Sequence, residues 1–171
     1  MKNPIDDIVW VHSDTLECND YNPNAVFSPE LKLLEKSILQ TGWVQPVLVS
    51  KNMTIIDGFH RWMLSKESAK LRSVYEGRLP VAVLEVDRVQ AMILTVRMNR
   101  AKGSHIAVRM SSMIKELVDE HGVDKQHLAQ EIGANIKEID LLHQEGVFTA
   151  KKIKDYKYSK SWIPAEGAMD G

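Results

Sequence analysis

Apolar positions along this chain fall into short blocks whose spacing changes near residue 103, dividing a mixed segment from a helical one. "IVWVH", Ile8 to His12, is β-branched and aromatic and predicts a strand. "NDYNPN", Asn19 to Asn24, is packed with turn formers. Ser28, Pro29 and Glu30 supply an N-cap, a proline at the first helical position and a first-turn acid; Leu31, Leu34 and Ile38 recur at helical spacing until Gly42, so a helix is predicted from about Pro29 to Thr41. "PVLVS" and "TIID" are brief apolar runs separated by "KNM", a hairpin-like arrangement. The second run feeds into "TIIDGFHRWML", Thr54 to Leu64, and the helix after Gly58 is expected to reach about Leu71. Pro80 to Asp87 predicts a further strand, and "RVQAMILTVRMNRA" a further helix.

After Gly103 every periodic block is helical. Ile106, Met110, Met113, Ile114, Leu117 and Val118 form one stripe; Leu128, Ala129, Ile132, Ile136, Ile139 and Leu142 form another, interrupted at Gly133. Two short helices joined by a tight glycine-containing turn have the form of a helix-turn-helix. The fold class is therefore α+β: a mixed sheet with helices over residues 1–104, an all-helical helix-turn-helix region over 105–148, and a basic, aromatic C-terminal tail over 149–171.

Composition narrows the classes of function. Apolar residues make up 44% and charged residues 26% of the 171, the balance of a globular protein, and no apolar run approaches membrane-spanning length. The N-terminus is acidic where a secretory signal would be basic, so a cytoplasmic protein without membrane attachment is expected. A single Cys18 excludes an internal disulfide and a cysteine-based zinc site. His12, His121, His127 and His143 show no metal-ligand spacing, and no metal site is expected from them. The net charge of -1 means that any nucleic-acid contact needs a local basic patch: Lys151, Lys152, Lys154, Lys157 and Lys160, interleaved with Tyr156, Tyr158 and Trp162, form one. A solvated lysine face or a tail for a protein partner fits them as well. In "ANIKEIDLLHQ", Asn135 and Lys137 could reach a DNA groove, whereas Glu138 and Asp140 would repel the phosphate backbone.

The densest chemistry lies at the seam between "TIID" and the helix that follows. Gly58 permits a close backbone approach, the first helical turn offers N–H groups, and Arg61 supplies a permanent planar charge suited to phosphate oxygens, with His60 as a second donor. The plainer alternative pairs Arg61 with an acid such as Glu67 and leaves Trp62 and Leu64 to pack. Asp57 is either a ligand for a cation or substrate hydroxyl, hence the catalytic candidate, or a cap accepting helix N–H groups. A second cluster, "RMNRAKGSH", holds Arg97, Asn99, Arg100, Lys102 and His105; it either brings more donors to a triphosphate or is a solvated linker.

Taken in order, "TGWVQPVLVS", which contains Gln45, then "IIDGFHRWMLSKESAK", "MNRAKGSHI" and the helix pair resemble the ParB-like N-terminal domain superfamily, related in fold to sulfiredoxin and to a free-serine kinase. "NPN", "DGFHRW" and the "YSKSW" ending resemble most the small, prophage-associated IbrB-like members. The resemblance implies nucleotide binding by Gly58, His60, Arg61, Gln45, Arg97, Asn99, Arg100 and His105, a nucleoside triphosphate (ATP or CTP) with Mg2+ as companion, DNA as a partner, a homodimer, and a partner resembling a PAPS-reductase-type enzyme; Lys137, Lys151, Lys152, Lys154 and Lys157 are the DNA-contact candidates that charge and helix position supply.

Departures from the superfamily's patterns bear on turnover. Phe59 stands where sulfiredoxin chemistry needs cysteine, and "FHR" stands where partition ParB proteins carry a glutamate and two arginines. Val96 and Arg97 stand where those proteins hold their metal with a Glu-Asn pair, and Asn22, Asn24 and Ala25 surround the place of the serine kinase's catalytic glutamate. The expected function is a nucleotide-binding, DNA-associated or transcription-regulatory switch, in which the segment from Arg97 to His105 closes over the phosphates and the helical region is repositioned. An ATP-dependent kinase of a small molecule, nucleoside or DNA base is the enzymatic alternative, and a protein-interaction module without nucleotide chemistry is the third.

Overall fold

A computed structural model of the chain describes residues 3–21, 28–101 and 107–144. The chain divides into two compact units, Met1–Thr95 and Val96–Gly171. The boundary expected at residue 104 and the tail from 149 onward lie outside the described residues.

The first unit is built on four strands, β1 (Val9–His12), β2 (Val47–Ser50), β3 (Ile55–Asp57) and β4 (Arg78–Leu84), in the order β1-β4-β2-β3. β4 runs antiparallel to β1 and parallel to β2, and β2 is antiparallel to β3, so the sheet is mixed. Alternation places Val47 and Val49 of β2 beside Val81 and Val83 of β4 on one face, where Leu16, Ile55 and Leu79 complete a buried cluster and Trp62 and Trp43 pack against it. The expected hairpin is present. β4, however, begins at Arg78 and ends at Leu84, earlier than the strand read from sequence. Pairing with β1 draws in Arg78 and Leu79, while Asp87 accepts from the backbone N–H of Gln90 at 2.8 Å and starts a helix.

The helices of this unit are α1 (Ser28–Thr41), α2 (Phe59–Glu67), α3 (Ala69–Tyr75) and the first turns of α4 (Arg88–Ala101). Ile38, Leu64 and Leu71 form a second buried cluster that joins α1, α2 and α3, with Leu31, Leu34, Trp43 and Tyr75 against it. The single helix expected from Gly58 to Leu71 is in fact two. Ser68 leaves helical geometry, accepts from the Leu71 N–H at 3.2 Å as the N-cap of α3, and donates its hydroxyl proton to Glu35 at 2.5 Å. Thr95 on α4 donates to Ala91 O at 2.9 Å, and its hydroxyl also lies 3.2 Å from Ile56 O at the β3 end.

In the second unit, α5 (Ala107–Lys115) continues into a π-helical segment, Glu116–Glu120, and is followed by α6 (Lys125–Ile132) and α7 (Ile136–His143). Met110, Met113, Ile114, Leu117, Leu128, Ala129, Ile132, Ile139 and Leu142 are buried on the two stripes, Val118 is half-buried, and Ile106 lies outside the described residues. Ile136, expected in that core, is 40% exposed instead. It is the first residue of α7, one step after the capping Asn135, and points away from the buried side. α6 ends at Gly133 in a left-handed conformation, and Asp124 and Asn135 cap α6 and α7 through their side chains. Among the described residues no helix is long and apolar enough to cross a membrane.

Because Ser68 carries both the α3 cap and the bond to Glu35, Ser68→Ala is expected to lower stability by about 1–2 kcal/mol, read as an earlier urea midpoint with an unchanged slope.

Candidate functional site

The β3–α2 turn concentrates the polar chemistry of the first unit. Gly58, the N-cap of α2, has φ 101 and ψ 21, a backbone that side-chain-bearing residues rarely adopt. A Cβ there would lie 3.1 Å from Arg61 Nη2, 3.1 Å from Val47 Cγ2 and 3.3 Å from Arg61 Nε. The chain thus needs glycine for its dihedral angle and for the space the guanidinium occupies. Gly58 offers no side-chain cap, and the first α2 amide to bond back is Trp62 N–H to Gly58 O at 3.0 Å. The amides of Phe59 and Arg61 stand in the turn where a helix supplies no carbonyl four residues earlier.

Arg61 meets an acid, as the plainer alternative held, though not the one named for it. It pairs with Asp57, not Glu67: Nη2 donates to Asp57 Oδ2 at 3.1 Å, and Nη1 donates to Gln45 Oε1 at 2.9 Å. The two charged side chains are 12% and 14% exposed. Burial pulls the Arg61 pKa below the ordinary guanidinium value, and the negative charge of Asp57 opposes that pull. Gln45, exposed just ahead of β2, Asp57 at the end of β3, Gly58 and Arg61 are therefore brought together. His60 is half-buried with its ring edge-on to Phe59 at 5.9 Å. Trp62 packs as the plainer reading held, its indole N–H donating to Ser13 O at 2.8 Å and Lys66 lying 5.4 Å above its ring.

The second basic cluster is committed within the helical unit. Arg97 donates through Nε to Glu131 O at 2.5 Å and forms an ion pair with the Glu131 carboxylate. Arg100 donates to Glu138 Oε1 at 2.6 Å and to Gly133 O at 3.1 Å, gripping the α6–α7 turn. Asn99 is half-buried on α4. Lys102, His105 and the lysines from 151 to 160 lie outside the described residues. Lys137 is exposed on α7, while Asn135, read as a groove contact, is the α7 cap and accepts from Glu138 N–H at 2.9 Å.

Two histidines of the helical unit meet acids, His143 with Asp119 at 2.7 Å and His121 with Glu116 at 3.6 Å. No group of three or more metal-ligating side chains is assembled among the described residues. Cys18 is on the surface, yet partial burial raises its thiol pKa, with Lys66 acting in the opposite direction.

Compared with known proteins, residues 2–100 match the ParB N-terminal domain. The chain belongs to the ParB N-terminal domain family. It is similar to the uncharacterized protein YbdM of Escherichia coli, 40% identical over 165 residues that make up 94% of this chain and 78% of YbdM. It is also similar to the probable chromosome-partitioning protein ParB of Rickettsia felis, 27% identical over 124 residues, 72% of this chain but only 41% of that ParB. The chain thus spans less than half the length of this partition relative. Two solved structures share the fold. The Pnob8-like ParB-N domain gives a TM-score of 0.61 at 14% identity over 89% of this chain and 75% of that one. The C-terminally truncated ParB of Caulobacter crescentus, complexed to the centromeric parS site, gives 0.52 at 18% identity over 78% and 69%. The ParB-N fold, with its mixed sheet and helical second unit, is therefore the fold of this chain.

Gly58→Ala is expected to destabilise this ParB-N domain by about 1–3 kcal/mol, through the left-handed backbone and the close approach of Arg61. Urea denaturation reads it, and a midpoint equal to the wild type would remove the constraint placed on this turn.

Proposed function

We propose that this ParB-like protein binds the phosphates of a nucleoside triphosphate at the β3–α2 turn and acts as a DNA-associated regulatory switch, without turnover. The observation that carries the proposal is the Arg61 guanidinium, largely buried and fixed beneath a left-handed glycine at the start of a nine-residue helix whose N-cap has no side chain. Helix amides and a guanidinium recognise phosphate by complementary means: the amides by direction and partial charge, the guanidinium by paired donors. Since Arg97 and Arg100 are bonded to Glu131, Gly133 and Glu138, the proposal assigns nucleotide contact to the β3–α2 turn alone.

The DNA half of the proposal draws on the parS complex of the Caulobacter ParB, whose fold this chain shares. Within residues 107–144 there are four Lys and Arg against seven Asp and Glu, so the helix pair by itself is a poor magnet for a phosphate backbone. Backbone affinity accordingly falls to Lys151, Lys152, Lys154 and Lys157, with Lys137 as the α7 contribution.

Two measurements test the two halves. In a thermal-shift panel of CTP, ATP and GTP with and without magnesium, at least one nucleotide is expected to raise the midpoint of the wild type and not of Arg61→Ala, with no phosphate released. A flat panel would remove the nucleotide reading. In DNA binding over a salt series, changing Lys151, Lys152, Lys154 and Lys157 to Gln is expected to flatten the slope of log K against log salt by about 0.9 for each phosphate no longer neutralised. An unchanged slope would take the tail out of the interface.

A further inference from the structure

We propose that Asp57 is a positioning residue: its carboxylate holds the Arg61 guanidinium in the orientation that meets a phosphate group, and it neither takes a proton from a substrate nor holds a cation. The inference rests on reading the β3–α2 turn as a polyphosphate site, and it assigns the acid of that site a role different from catalysis.

Two hydrogen bonds fix the plane of the guanidinium, and the side-chain-free Gly58 leaves the space it fills. Asp57 Oδ2 accepts from Nη2 at 3.1 Å, Gln45 Oε1 accepts from Nη1 at 2.9 Å, and Nε and Nη2 stand 3.3 and 3.1 Å from where a Gly58 Cβ would be. Only one of these anchors is both charged and sheltered, since Gln45 is exposed and neutral whereas Asp57 is 14% exposed. An arginine has five N–H donors in a rigid fork, so two bonds orient it and leave donors for a ligand. Without the carboxylate, a long side chain in this poorly solvated place would gain both hydration and rotamer freedom by swinging outward. Burial already weakens the hold of Arg61 on its proton, and Asp57 is what opposes the effect.

The charge of Asp57 and its geometry act on a phosphate in opposite directions, which makes the roles separable. A carboxylate repels a phosphate, so an acid present only as a charge would cost affinity, and neutralising it would tighten binding. An acid that orients Arg61 does so through an oxygen acceptor. Asp57→Asn keeps an oxygen and loses the charge, whereas Asp57→Ala loses both. A cation ligand would make either loss depend on magnesium, and a general base would leave binding intact in both variants.

Calorimetric titration of the full chain with CTP, ATP and inorganic triphosphate, each with and without magnesium, separates these outcomes. Asp57→Asn is expected to bind within about threefold of the wild type and Asp57→Ala about tenfold or more weakly, with the same ratios in both metal conditions. Equal losses in the two variants, seen only with magnesium, would overturn the proposal in favour of a cation ligand. Undiminished binding by Asp57→Ala would overturn it outright. Should Asp57→Ala not fold, the Arg61 Nη–H resonances of ligand-free Asp57→Asn decide: a guanidinium whose Nη groups stay distinct and exchange slowly, as in the wild type, supports positioning, and freely rotating, freely exchanging Nη groups with binding retained overturn it. A wild type that binds none of the three probes removes the polyphosphate reading and this inference with it. A wild type that binds, with the variants in the wrong order, removes only the role of Asp57.

Discussion

A guanidinium lodged beneath a glycine constrains everything at the β3–α2 turn. The place of the missing Cβ is contested by Arg61 and by Val47, and Val47 is a fully buried member of the sheet core. The candidate site and the hydrophobic core therefore share a wall. Asp57 reaches Arg61 because it is the last residue of β3, and β3 is held in place by antiparallel pairing with β2, where Asp57 stands opposite Leu48. Gln45 reaches the same guanidinium from the other side because it immediately precedes the Pro46 that leads into β2. Strand register thus sets the site, and a slip in either strand would separate the arginine from both partners.

Such an arrangement links binding chemistry to folding. Breaking a sheltered ion pair by deleting one member costs about 3–5 kcal/mol, because the remaining charge is left without compensation. Domains of this size are stable by only about 5–15 kcal/mol, so the pair is not an ornament on an otherwise sufficient core. Asp57 and Arg61 can be replaced together by apolar groups with less damage to stability than either alone, but that replacement would erase the donors on which the proposed phosphate site depends. Stability alone does not call for an ion pair here, whereas the proposed phosphate site would.

The strands, the first helix, the glycine turn and the second-unit helices are legible in the sequence because each carries a local signal: alternation, a cap, a left-handed residue, or a 3.6-residue stripe. Ser68 hides the break between α2 and α3, since Leu64 and Leu71, seven residues apart, continue a helical burial pattern across it and only the long-range partner Glu35 shows why the serine caps. Ile136 departs from its stripe because periodicity does not reveal that the chain is only just entering the helix. The Asp57–Arg61 pair has a spacing of four residues that could have announced it. The helical i,i+4 rule does not suggest it because Asp57 belongs to a strand, and it is Gly58 that turns the two side chains toward each other. Gln45 stands out by family resemblance, but no local pattern tells that its partner is Arg61.

The charged residues of the helical unit show how identity in sequence can mislead about availability in space. Glu138 and Asp140 look like obstacles to an anion until their partners are seen: Glu138 meets Arg100, and Asp140 meets Lys125 at 2.8 Å. Arg97 and Arg100 look like free phosphate ligands until the same bonds are read from the other end. The two readings share one omission, for each acid is weighed without its base. Hydrogen bonds between ionised groups are about twice as strong as neutral ones, so an anion recruiting Arg97 or Arg100 must replace interactions of its own kind and not merely displace water. It must also release Gly133 O, the carbonyl at the α6–α7 turn. Anion capture by these arginines and the present packing of the helix pair are therefore opposed, and whichever is stronger decides the state of α6 and α7.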